Sequence, residues 1–165
     1  MTVSPHSITE HLTLLQIYPA HEPRSGDPHY AAFNAARRRL EKLGALRCWI
    51  GNADCSLQYP IELHHAVVEF ALANIVDETH FAQLYPEFHV TDDETFLTWV
   101  EGEGNLLPLC KSHHTGVLGV HLLPYPGWLP QRFLKAGIGA PMRVIRQGEI
   151  VPPGPASSGA VGGAA

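Results

Sequence analysis

The sequence is poor in positive charge. Eleven Lys and Arg face sixteen Asp and Glu, giving a formal net charge of −5 with histidines neutral. Counterion release needs clustered cations, so this balance excludes a polybasic coat that grips nucleic acid over a whole surface. It leaves room for a protein that binds DNA locally and relies on a metal ion as its main positive charge. Cysteine is scarce too: Cys48, Cys55 and Cys110 are the full set. An odd number without a secretory leader reads poorly as a disulfide framework and better as thiolate ligands or small buried side chains. No apolar run is long enough to span a bilayer. Residues 1–10 have neither the basic start nor the apolar stretch of a signal peptide, so the expectation is a cytoplasmic location, that of the host cell if a phage encodes the chain. Three enzyme signatures are missing as well: His-Glu-x-x-His, Gly-x-x-x-x-Gly-Lys and Gly-x-Ser-x-Gly.

Histidine, by contrast, is abundant. There are eleven, and four stand in adjacent pairs, His64-His65 and His113-His114. His6, His11, His21, His29, His80 and His89, with Trp49, Trp99 and Trp128, are expected to serve packing or the surface.

The chain, 165 residues long, suits one compact domain with appendages. An α+β class is expected. Residues 8–18 favour a short helix. A better one starts with Asp27 as N-cap and Pro28 at the first position, and Gly44 stops it. Residues 46–50 and 61–63 read as the two strands of a hairpin around the turn 51–54. Residues 66–76 are apolar and expected to be helical, with further short helices near 78–84 and 93–101, the latter capped by Asp92 or Asp93. A turn enters the apolar segment 104–110, and another helix begins near Lys111. Asp92, Asp93, Glu94, Glu101 and Glu103 read as solvated helix ends. Residues 151–165, made of Pro, Gly, Ala, Ser and Val, are expected to be a disordered tail, because such a composition cannot offset its ordering entropy.

Two segments carry chemistry: Glu62-Leu63-His64-His65, and Asn105-Leu106-Leu107-Pro108-Leu109-Cys110-Lys111-Ser112-His113-His114. Phosphodiester hydrolysis needs a group that takes a proton from water near neutral pH, which suits imidazole. It also needs a cation for the charge that develops on phosphate, and rigid neutral ligands to hold that cation. The order His-His, then Asn-Leu-x-x-Leu-Cys-x-x-His-His, resembles the HNH endonucleases, above all the short ones of phages and actinobacteria. The resemblance covers residues 46–123. It implies a small ββα-metal core, flanked by an N-terminal helical extension (1–45) and a C-terminal extension (124–150).

By that resemblance His65 matches the general base, and Asn105 the residue that fixes the loop and orients the base. His64 and His114 match ligands of a catalytic Mg²⁺ or Mn²⁺. The family's further ligand would fall on Leu118, which cannot ligate, and His121 beyond Gly116 and Gly119 is the substitute. A structural Zn²⁺ is also implied, on Cys48, Cys55, Cys110 and His113. DNA is the expected partner, with Arg37, Arg38, Arg39 and Lys111 as candidate phosphate contacts. The alternative is a zinc-stabilised module without catalysis, such as a nucleic-acid adaptor or a phage packaging accessory. A third expectation, prompted by Leu118, is an inactive descendant of the nucleases.

Overall fold

A computed structural model describes Pro23 and residues 26–134, 144–145 and 148–149. The expected helix at 8–18 and the expected tail at 151–165 lie outside these residues. The chain divides into two compact units. One joins Met1–Gln16 to Ile145–Ala165, and almost all of it is outside the described residues; the other, Ile17–Val144, carries everything below. The class is α+β: among the described residues, helices surround one two-stranded antiparallel sheet. Among the described residues no helix is long and apolar enough to cross a membrane.

The first helix, α1 (Tyr30–Lys42), starts two residues later than expected. Asp27 does not cap it. Its carboxylate accepts from the backbone N–H of His29, which is the N-cap in helical conformation. Gly44, at φ 65°, closes the C-terminus in the left-handed region that only glycine enters without strain.

The sheet is where the sequence misled. Strand β1 (Glu62–His65) pairs with β2 (Leu106–Leu109), not with residues 46–50. Local β-propensity cannot choose a partner; burial does. The pairing puts Leu63 and Leu106 against Phe33 and Ala36 of α1 in one apolar cluster. Residues 46–50 form no strand, although Trp49 N–H donates to the carbonyl of Pro108 at 2.8 Å. Pro108 has no N–H for a ladder, and its carbonyl faces away from β1.

The segment 66–76 was expected to be a helix, but only Phe70–Ile75 turns, as a 3₁₀ helix. The reason is Asn105. Its Oδ1 accepts from the N–H groups of Val67 and Val68 (2.8 and 3.1 Å), and its Nδ2 donates to Val68 O (2.8 Å). With the Val68 carbonyl taken, Leu72 N–H bonds instead to Glu69 O at 2.9 Å, a 3₁₀ turn. Helices α2 (Glu78–Leu84) and α3 (Asp93–Val100) follow closely the expected bounds. Asp92 caps α3 and forms a reciprocal capping box with Thr95. Both helices pack on Val68, Ala73 and Val90 through Phe81, Phe96 and Val100. After β2 come the single-turn helices α4 (Lys111–His114) and α5 (Tyr125–Trp128). Trp128 of α5 closes a third cluster with Ile50, Leu109 and Leu123.

One polar clasp ties the start of α1 to α3. The His29 ring stands 2.9 Å from Asp27 Oδ1 and 3.0 Å from Glu94 Oε2. Burial disfavours the charged ring, but the hydrogen bonds and charges of Glu94 and Asp27 outweigh it and raise the pKa above 6.5. A raised folded-state pKa stabilises fully below the unfolded value and is lost as pH climbs through the folded one. His29→Ala is therefore expected to lower Tm at about pH 6 and to have a smaller effect at about pH 9. Glu94 is 79% exposed, so the loss at the lower pH stays within about 1 kcal/mol. Thermal melts at both pH values check it; an equal loss at both removes the charged clasp.

Candidate functional site

Two groups of ligand-type side chains assemble on either side of α4. Within each, the ligand atoms lie within 4.8 Å of one another. One is Cys48, Cys55, Cys110 and His113; the other is His64, His114 and His121.

In the first group the three Sγ atoms stand 3.6, 3.7 and 3.2 Å from His113 Nδ1. A tetrahedral zinc with bonds of about 2.0–2.3 Å separates its ligand atoms by about 3.6 Å, so the spacing fits such an ion. Cys110 and His113 are 1% and 0% exposed. Cys110 sits at the N-terminus of α4 and His113 three residues on, so one helical turn brings both to one side. Cys48 and Cys55 arrive from the loop that Gly51, at φ 67°, turns back. Trp128 Nε1 donates to His113 O at 3.1 Å and holds the turn from behind.

The charges fit a cation as well. Burial raises the Cys55 thiol, and the neighbouring sulfurs of Cys48 and Cys110 raise it further, to about 12. Burial also works against a Cys48 thiolate, but His113 and the backbone of Cys110, Gly51 and Ile50 outweigh it and bring that thiol down to about 6. Three adjacent thiolates without a counter-charge repel one another. A divalent ion removes that repulsion and deprotonates the ligands. This cluster can hold a metal ion such as zinc.

In the second group the ring centroids of His64, His114 and His121 are 4.8–5.4 Å apart. His114 Nε2 and His121 Nε2 are 3.0 Å apart. Burial first, then the charges of His121, His114 and His65, push His64 down to about 3. It is thus a neutral imidazole, the form that ligates. Its Nδ1 is buried with no hydrogen-bond partner, an orphan of the kind an ion can satisfy. His121 is also lowered, by desolvation against its neighbours and by His114, although the residue as a whole stays exposed.

His121 reaches the group because the chain folds sharply after α4. A Cβ on Gly119 would lie 2.4 Å from His114 O, and one on Gly116 would lie 2.8 Å from Ser112 O. Only glycine fits these approaches. Leu118, where a helical continuation would put a ligand, instead gives its carbonyl to Gln131 Nε2 at 3.1 Å.

Glu62, quoted in the motif but assigned no role from sequence, completes the arrangement. Its Oε2 is 2.5 Å from His114 Nδ1, and its Oε1 is 3.4 Å from Lys111 Nζ. Partial burial raises this carboxyl, but His114 and Lys111 outweigh the burial and hold it below its ordinary range. A carboxylate on the outer nitrogen of a ligating histidine fixes its ring and its tautomer.

His65 points away from that trio, as the alternation of a strand demands. It is buried between Phe33 and Phe70, with ring centroids 6.3 and 6.4 Å away. Its Nε2 lies 3.4 Å from Glu101 Oε2, and its Nδ1 lies 3.7 Å from Glu69 Oε1. Glu101 was expected to be a solvated helix end. It is 1% exposed, because the end of α3 turns inward against β1. Asn105, 0% exposed, bonds only to backbone in its four side-chain hydrogen bonds. It fixes the loop, whereas the carboxylates of Glu101 and Glu69 flank the His65 ring. No sequence signal marked Glu69 or Glu101, since their partner is set by tertiary packing.

Of the four candidate phosphate contacts, three are engaged within the protein. Arg37 donates to Ile61 O (3.1 Å) and pairs with Glu41; Arg39 pairs with Glu103, and Lys111 with Glu62. Arg38 stands exposed on α1.

Comparison with protein families, with curated proteins and with solved structures finds no match for this chain.

Asn105→Ala is expected to cost about 2–4 kcal/mol, since it leaves several buried backbone groups without partners; a urea titration that finds less than about 1 kcal/mol contradicts the clamp. The four-ligand cluster predicts one tightly held zinc-class ion per chain by elemental analysis, and its loss with collapse of the thermal transition in Cys110→Ala. Loading must release protons, because the Cys55 thiol is otherwise protonated. Uptake of zinc without acidification of a weakly buffered solution counts against the three-thiolate site.

Proposed function

We propose that the chain is a metal-dependent DNA endonuclease of the HNH type, with a ββα-metal core built from β1, β2 and α4. The observation that carries this reading is the meeting of His64, His114 and His121 within ligand distance, with Glu62 seated on His114 and His65 on the next position of the same strand.

His64, His114 and His121 would hold a catalytic Mg²⁺ or Mn²⁺. When bound, that ion supplies the positive charge that a phosphodiester needs as its leaving oxygen takes up electrons. The chain's own residues do the rest. His65 is the general base. Its Nε2 side is closed by the buried Glu101, which favours an N–H there and leaves Nδ1 as the acceptor. The Nδ1 side opens toward Glu69, a residue about one-third exposed whose charge also bears on His121. In the reaction Nδ1 takes a proton from water as the water oxygen bonds to phosphorus. The bond from phosphorus to the 3′ oxygen breaks, and solvent protonates that oxygen. The products are a 5′ phosphate and a 3′ hydroxyl. Asn105 acts at a distance, by fixing the loop after β1 and so the direction of His65. Cys48, Cys55, Cys110 and His113, with zinc, would clamp a core too small to be secured by apolar burial alone.

The four-ligand cluster also favours a second reading, a zinc-stabilised nucleic-acid module that does not cut. The two part on one experiment. Supercoiled plasmid is incubated with the zinc-loaded protein and Mg²⁺ or Mn²⁺. Metal-dependent nicking is expected, falling at least about 100-fold in His65→Ala. Glu62→Gln should weaken Mn²⁺ binding by about 10–100-fold. Absent nicking leaves the non-cutting module as the reading, and nicking as fast in His65→Ala counts against His65 as the general base.

A further inference from the structure

A cleft of about 540 Å³ opens beside the four-ligand cluster, on the far side of β2 from β1. Arg47, Trp49, Arg132 and Phe133 are among its walls. The guanidinium carbon of Arg132 lies 4.1 Å from the Trp49 ring centroid, and Trp49 in turn stacks on the buried Trp128 at 6.0 Å. Stacking holds the face of a guanidinium and leaves its N–H groups free along the edge, which is the geometry that meets phosphate. The support for Arg132 is built in. The preceding residue, Gln131, is 1% exposed, receives Asn52 Nδ2 on its carbonyl and donates to Leu118 O.

Both arginines are exposed, and neither forms an ion pair with a carboxylate among the described residues. In a chain of net charge −5, where Arg37, Arg39 and Lys111 are already paired, two unpaired cations on one cleft are a local concentration of positive charge. Phe133, 70% exposed, adds an aromatic face beside them. Free guanidinium groups next to an uncovered aromatic ring are the chemistry of single-strand binding, in which phosphates are gripped and a base stacks. Position is consistent with a strand shared with the histidine trio. Trp49 bonds to Pro108, which neighbours Leu107, the register partner of His64. The two backbones are thus two strand spacings apart, about 10 Å.

We propose that this cleft grips a single-stranded stretch of DNA, with phosphates on Arg47 and Arg132 and a base stacked on Phe133. The choice of DNA rests on the nuclease reading, but the test reads binding and not cutting. The full-length zinc-loaded protein, with no Mg²⁺ or Mn²⁺ added, is titrated against a short fluorescent oligonucleotide, single-stranded or annealed to its complement, and anisotropy is followed. Tighter binding of the single strand is expected. The double variant Arg47→Ala/Arg132→Ala should bind it about tenfold or more weakly and lower the slope of log affinity against log salt by about 1.4, or 0.7 for each phosphate released. Phe133→Ala should weaken the single strand and spare the duplex. Lys42→Ala, which removes one exposed charge from α1, should change affinity less than about twofold. All three are surface changes, and unchanged melting confirms the fold. The proposal is overturned by equal binding of duplex, by equal loss in the α1 control, or by an unaffected Arg47/Arg132 variant. If plasmid nicking fails but binding depends on this cleft, the nuclease reading falls and the cleft stands. If nicking holds while the cleft variants bind normally, the cleft alone falls.

Discussion

The antiparallel register of Glu62–His65 against Leu106–Leu109 is the constraint on which the rest of the molecule depends. Strand side chains alternate, so a slip of one residue would exchange His64 and His65 between faces and separate both from their partners. A four-residue ladder is too short to hold register by itself. Asn105 supplies what the ladder lacks. Its backbone carbonyl accepts from Ala66 N–H at 2.7 Å, one step beyond the last pair, while its side chain holds Val67, Val68 and the end of α3. Register, loop and helix end are thereby locked by one buried amide.

From that register the two ligand groups follow. Leu109 ends β2, Cys110 starts the turn of α4, and the adjacent His113 and His114 leave that turn about 100° apart. One ring enters the thiol group, and the other meets His64 and Glu62 across the sheet. A single turn of helix thus serves both. It stops after His114 because Gly116 and Gly119 let the backbone pass where a side chain would collide. The return brings His121 alongside His114 and gives Val120 N–H to His113 O. A longer helix would have carried His121 away. The short helix is therefore part of the site's construction.

How much of this was legible in advance varies with the distance over which each feature is decided. The caps and bounds of α2 and α3 are local, and Asp77 and Asp92 mark them plainly. The cysteine and histidine spacing within Cys110-Lys111-Ser112-His113 is likewise local and sat on the expected turn. The partner of β1 was not legible. Residues 46–50 have the propensity of a strand, but Cys48 is drawn into the thiol group and Trp49 packs on Trp128. The shortened helix at 66–76 has the same cause, because a side chain some forty positions away takes the Val68 carbonyl. Glu101 misled most, since acids at helix ends are ordinarily solvated, and this one is buried on an imidazole.

The order of residues alone determined which chemistry was on offer: two histidine pairs, three thiols, an asparagine entering a strand and two glycines where the chain must turn. These are statements about side-chain type and short spacing, and such statements survive without coordinates. Only the tertiary structure decided which carboxylate meets which imidazole, which arginines are already paired, and that His121 stands where Leu118 cannot. Those outcomes depend on register and close packing between segments far apart in the chain. No local propensity encodes them, because the energy that selects them is the burial of Leu63, Leu106 and Asn105 against elements from elsewhere.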